Sequence, residues 1–250
     1  MTRWQRIATT LALVGALLLL LPEASGAAGG PLVSLDLGGD GERLGTGIEL
    51  VILFTLLSFA PALLIGLSAF VRIAIVLAFL RQAVGTQQMP PNQVVVALAL
   101  FLTFFVMTPT LRLINEAAVV PYLEEKATAT EAVEHGFVPL RSFMLRQTRE
   151  KDLALFLGMG GKERPKTIDE VPAEVVIPAF MISELKSAFQ ISFMIYIPFL
   201  VLDMVVAAIL TSMGMITLPP VLISLPFKLM LFVLVDGWNL LVSALVKSFH

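Results

Sequence analysis

Cysteine is absent from these 250 residues, which excludes disulfides, thiolate-held clusters and thiol catalysis. Histidine is nearly absent: His135 and His250 lie far apart, so a histidine-based metal centre has too few ligands. Charge is scarce as well. Asp, Glu, Lys and Arg make up 14% of the chain, where a soluble domain carries about 25%. Seventeen basic residues against nineteen acidic ones leave no electrostatic footprint for nucleic acid. What is plentiful is apolar: 57% of the residues are hydrophobic and the mean hydropathy is +0.90, which excludes intrinsic disorder and points to a membrane protein.

The chain opens with Arg3 and Arg6, an uncharged apolar run from Ile7 to Leu21, Pro22, and then small residues from Ala24 to Ala28. This order is that of a secretory signal peptide, so residues 1–26 are read as cleavable. A retained first membrane helix is the bland alternative, but the run is short of the roughly 20 residues a span needs. Residues 27–47 are glycine-rich and read as a flexible linker. Four apolar blocks follow: Ile48 to about Leu80, Val94–Leu111, Ile177–Leu210 and Met213–Val246. All but the second are interrupted by proline or charge, which predicts broken helices supported by protein neighbours. The expected fold is an all-α, membrane-associated bundle of long, proline-broken hairpins. Residues 48–113 form the first hairpin and 176–250 the second, with a charged, mostly helical, extracytoplasmic segment over 114–175. Within that segment Leu140–Leu157 has the pattern of one amphipathic helix.

Charges inside apolar blocks are costly, about 3 kcal/mol each on insertion scales, and so ask for a partner or a wet cavity. Asp203 and Lys228, of opposite sign on successive blocks, are candidates for a buried pair, and Glu184 is a third buried charge. Such residues either hold an assembly, line a transport path, or sit at protein–protein interfaces. Ser58, Ala62 and Gly66 recur every four residues and offer a groove for close helix packing, against the alternative of chance in an Ala-rich helix. Met213 and Met215 flank Gly214 just before Pro219-Pro220; flexible methionines suit a deformable constriction, and as bare composition they also suit core filling. No enzyme motif is present. Gly161-Lys162 lacks the Ser or Thr and the first glycine of a phosphate loop, and Ser68 has no histidine near it. No catalytic residue, cofactor or metal is expected.

Pro178-Ala-Phe-Met-Ile-Ser-Glu-Leu-Lys-Ser-Ala-Phe-Gln-Ile191 resembles the signature of the FliP family, membrane proteins of the flagellar type III export apparatus. Arg72–Gln93, Phe101–Pro109 and Leu225–Asn239 agree, so the similarity covers roughly residues 48 to 249. The signal peptide and the Gly85–Gln88 loop resemble the flagellar branch rather than its virulence-secretion relative. The resemblance implies a non-enzymatic export-gate component in the bacterial inner membrane, within the flagellar basal body. It further implies a homo-oligomeric ring, pentameric in the family, assembled with FliQ and FliR beside other export and basal-body proteins, with unfolded flagellar subunits as cargo. It favours an interface role for Asp203 and Lys228, and it makes Met213, Met215 and Ile216 the candidate gate constriction, although only Met215 matches the family's methionine run. From a different class, a small proton-coupled transporter using Asp203 and Lys228 is the rival. Such a transporter would show internal repeats, and the first and last block pairs are not alike.

Overall fold

Helices are the only regular elements among the described residues of this computed structural model, which are 51, 54–55, 58–59, 61–63, 65–86, 89–159, 171–215 and 217–249. Two units divide the chain, Met1–Phe54 and Thr55–His250. In the first, residues 51 and 54 are helical, and the expected signal peptide and linker lie outside the described residues. Everything below concerns the second.

Helical residues within 55–66 end at a turn over Leu67–Ala69, and α1 then runs Phe70–Val84. The first apolar block is thus broken at this turn, and the charge it carries, Arg72, lies inside α1. Ser68 explains the position: its hydroxyl donates to Ile65 O and accepts from Phe70 N, both at 3.3 Å, a local bond that competes with continuing the helix. Along α1, Ile73, Val76, Leu77, Leu80 and Val84 recur at three- and four-residue steps and are buried together. Gly85 stops α1 in the left-handed conformation, φ 85°.

Asn92–Ile114 forms α2, which continues through a wide turn over Asn115–Val119 into Val120–Leu123. The expected boundary at 113 therefore falls inside one 32-residue apolar helix. Past Thr128, α3 covers Ala129–Gln147. It crosses α2 closely at the wide turn, where a Cβ on Gly136 would lie 3.2 Å from the Ala118 Cβ.

The amphipathic pattern over Leu140–Leu157 is split between two helices, because α4 starts anew at Glu150 and ends at Met159. The physical cause is tertiary. Thr148 turns extended and its hydroxyl donates to Met144 O at 2.7 Å, while Arg149 N donates to Ser183 Oγ at 3.0 Å instead of to a helical carbonyl. Both α3 and α4 pack on α5, so the charged segment is part of the bundle.

Helix α5, Ala173–Ser212, is 40 residues long and passes unbroken through Pro178 and Pro198. Its buried positions in the first half, such as Val176, Phe180, Ser183, Glu184 and Ala188, form one stripe against α1. Pro219-Pro220 opens α6, Pro220–Leu234, with proline at the position where its missing N–H costs nothing. The last helix, α7, runs Gly237–Lys247 and is bent 66° from α6. Glycine is required at this elbow, since a Cβ on Gly237 would sit 2.3 Å from the Phe232 ring. Among the described residues, two helices can cross a membrane by length and composition, α2 with its extension and α5, or three if α6 and α7 count as one bent span.

Candidate functional site

The candidate site consists of two ion pairs held inside the bundle and the turn that ends α5. In the first, α1 directs Arg72 at Glu184 on α5. Arg72 Nε donates to Glu184 Oε2 at 2.9 Å and Nη2 to Oε1, the two-pronged fit of a guanidinium on a carboxylate. Its remaining donors reach three more partners: Nη1 meets Ser248 O at 2.7 Å and Ser248 Oγ at 3.1 Å, and Nη2 meets Gln147 Oε1 at 3.1 Å. The guanidinium also lies over the Phe249 ring, 4.0 Å from its centroid, and Gln147 Nε2 holds Phe249 O at 3.0 Å. One arginine thus ties α1, the end of α3, the first half of α5 and Ser248, just past α7. Glu184 is fully buried. Beside it, Ser183 donates to Asp152 Oδ2 at 2.7 Å and fixes the start of α4.

The second pair lies toward the far end of α5. Lys228 Nζ, on α6, is 2.6 Å from Asp203 Oδ2, and Ser224 Oγ donates to Asp203 Oδ1. Lys228 also reaches Ala83 O, at 3.4 Å, near the end of α1. The ammonium is enclosed, whereas the Asp203 side chain keeps 24% of its surface exposed. The structure therefore brings Asp203 and Lys228 together and gives Glu184 a different partner. Sequence reading had no role for Arg72, Ser224 or Gln147. The signal for Arg72 was the same as for the others, a charge inside an apolar block.

At the C-terminal end of α5, Met215 N donates to Leu210 O at 2.9 Å and Gly214 N to Thr211 O at 3.0 Å, with Gly214 at φ 77°. This crossed pair of bonds around a left-handed glycine is the Schellman termination. It leaves Met213 67% and Met215 39% exposed. Ile216 lies outside the described residues. Of the small-residue stripe, Ser58 and Ala62 are exposed and Gly66 is half-buried, near Met181 Sδ.

Comparison with known proteins decides the family. The FliP family model matches residues 53–245. The chain belongs to the FliP family. It is 52% identical to the flagellar biosynthetic protein FliP of Bacillus subtilis (strain 168) over 84% of this chain and 95% of the relative. Identity is 48% to FliP of Cereibacter sphaeroides, covering 99% and 83%, and 52% to FliP of Aquifex aeolicus (strain VF5), covering 81% and 86%. The Arg72–Glu184 and Asp203–Lys228 pairs and the methionine turn all fall inside the matched FliP region.

Proposed function

We propose that this chain is a core channel component of the flagellar protein export gate, acting without catalysis in the bacterial inner membrane, within the basal body. Family membership makes it a flagellar biosynthesis and export protein with apolar helices suited to a membrane. The finer reading is that several copies form a ring, pentameric by family resemblance, together with FliQ and FliR, and that unfolded flagellar subunits pass through its centre. A cleaved signal peptide over residues 1–26 places the charged segment on the outer side of the membrane.

The observation that carries the channel reading is the end of α5. A glycine-dependent turn presents Met213 and Met215 outward, on a helix whose position is fixed by two ion pairs. Repeated around a ring, that turn sets several flexible apolar side chains at one level. Such side chains pack when the channel is closed and repack when a polypeptide pushes through. Replacing Met215 and Ile216 with alanine leaves assembly intact and makes the resting complex leaky. Conductance or small-solute entry in cells overproducing the gate alone measures this. An assembled double variant as tight as the parent removes the turn from the seal.

A further inference from the structure

Helix α6 is apolar, yet the only two of its residues that are buried are polar, Ser224 and Lys228. Both go to one carboxylate of α5: Ser224 Oγ donates to Asp203 Oδ1, and Lys228 Nζ lies 2.6 Å from Asp203 Oδ2. Four residues apart, they share one face of the helix. The enclosed attachment of α6 is therefore a single pin, and apolar residues such as Leu222, Met230 and Leu234 stand exposed on either side of it.

Beyond the pin, the elbow between α6 and α7 separates two cavities. One of about 590 Å³ lies toward α5, with Ile195, Pro198 and Ala244 in its walls. The other, of about 620 Å³, lies toward α2, with Val94, Leu98 and Val242 in its walls. The Phe232 ring borders both cavities and packs on Gly237, so ring and elbow move together. Past the elbow the chain is fixed again. Leu241 and Leu245 are buried there, Arg72 holds Ser248, and Gln147 holds Phe249. On the other side of the pin, α6 begins at Pro220, soon after the turn that carries Met213 and Met215. Helix α5 has a place to bend as well, because Pro198, just before Asp203, removes one backbone bond from it.

We propose that α6 is a lever pinned at Asp203, with the Met213–Met215 turn on one arm and the elbow on the other. A polypeptide that pushes the turn aside tilts α6 about the pin. The far arm, Lys228 to Leu234, is six helical steps or about 9 Å long, so a modest tilt shifts its end by a few ångströms. A close-packed interior would resist that shift, and the two cavities supply the space for it. The Asp203–Lys228 pair is the axis of the movement and stays intact throughout. Helices of one chain bound both cavities, so the tilt proceeds with neighbouring subunits in place. The inference deepens the channel reading proposed above and rests on it.

A chain without cysteine allows a direct test by bridging. Val94→Cys on α2 and Val242→Cys on α7 both line the second cavity. A reducible bis-maleimide, added to cells after the gate has assembled, joins them. The unbridged variant exports flagellar subunits as the parent does. Bridging abolishes export while the ring and its resting tightness are kept, and reduction restores export. The same bridge between Pro109→Cys and Arg146→Cys, which line a cavity between α2 and α3, leaves export unchanged. Export that continues through the Val94–Val242 bridge, or that stops equally with the second bridge, overturns the lever. So does a photoreactive phenylalanine analogue at position 242 that labels a second copy, because a neighbour then fills the cavity. Resting conductance of the Met215, Ile216 double variant scores the seal separately, so a leaky double variant whose bridged parent still exports overturns the lever alone.

Discussion

The two halves of α5 belong to one continuous helix yet meet opposite surroundings. From Ala173 to Ser192 a stripe of side chains is buried, and it includes Ser183, Glu184 and Ser192. From Phe193 to Ser212 only Phe199 and Leu210 are buried, while large apolar side chains such as Phe193, Met194 and Met204 stand exposed. Helix α2 shows the same excess, with Phe101, Phe104 and Phe105 on its outer face and Phe101 75% exposed. Around Arg72 and Glu184 the chain closes on itself and satisfies the buried charges internally. Around the single Asp203–Lys228 pair of the second half it leaves apolar surface far beyond what a soluble monomer shows, which asks for lipid or other subunits. The difference separates what holds the single chain from what the single chain offers to its surroundings.

Breaking the polar half has the largest expected effect. Arg72→Ala strands the enclosed Glu184 carboxylate, and Glu184→Ala strands the guanidinium; each costs about 3–5 kcal/mol. Replacing both with leucine costs much less than the two losses summed. Thermal unfolding of the four proteins in detergent measures this, and equal, additive losses would show that the residues do not act as a pair. The Asp203–Lys228 pair comes next. Asp203 keeps solvent contact, so single alanine variants cost less, about 2 kcal/mol, and the double variant again falls short of the sum.

Much of this contrast was legible in the sequence, and what was missed has a common physical cause. Asp203, Lys228 and Glu184 were visible because a charge inside an apolar block has few tolerable places. The start of α6 was visible because Pro219-Pro220 cannot continue a helix. The pairing of Arg72 with Glu184 was not, since 112 residues separate them and sequence alone does not say which charge meets which. The break at Thr148 was hidden for a similar reason. The amphipathic pattern runs straight across it, and the group that ends the helix, Ser183, comes from another part of the chain. The turn at Leu67–Ala69 carries no proline and gave way to a single serine hydroxyl.

The smallest expected effect lies outside the apolar helices, at the start of α3. Thr128 N donates to Glu131 Oε2 at 2.8 Å and the Thr128 hydroxyl does so at 2.9 Å, while Glu131 N donates back to Thr128 Oγ1 at 3.4 Å. The backbone N–H of Thr128, followed by its hydroxyl, holds the Glu131 carboxyl below the usual carboxylate range. A carboxyl depressed on folding adds stability that is complete above its unfolded value and fades as pH falls through the folded one. Thr128→Ala removes the hydroxyl that caps the helix and costs about 1 kcal/mol, as such caps do, read as faster amide exchange in the first turn of α3. In Glu131→Gln the protection of that turn, its exchange relative to the free-peptide rate at each pH, no longer falls with acid. If the Glu131→Gln turn keeps the parent's acid sensitivity, the capping carboxylate is not its source.

The central claim is that the apolar half of the molecule is covered by other subunits of a ring. Native mass spectrometry of the purified chain, alone and co-produced with FliQ and FliR, tests it most directly. The account predicts a closed assembly with several copies of this chain, and an added mass of both sister proteins when they are present. A chain that stays monomeric in both preparations, folded and with its ion pairs intact, would contradict it.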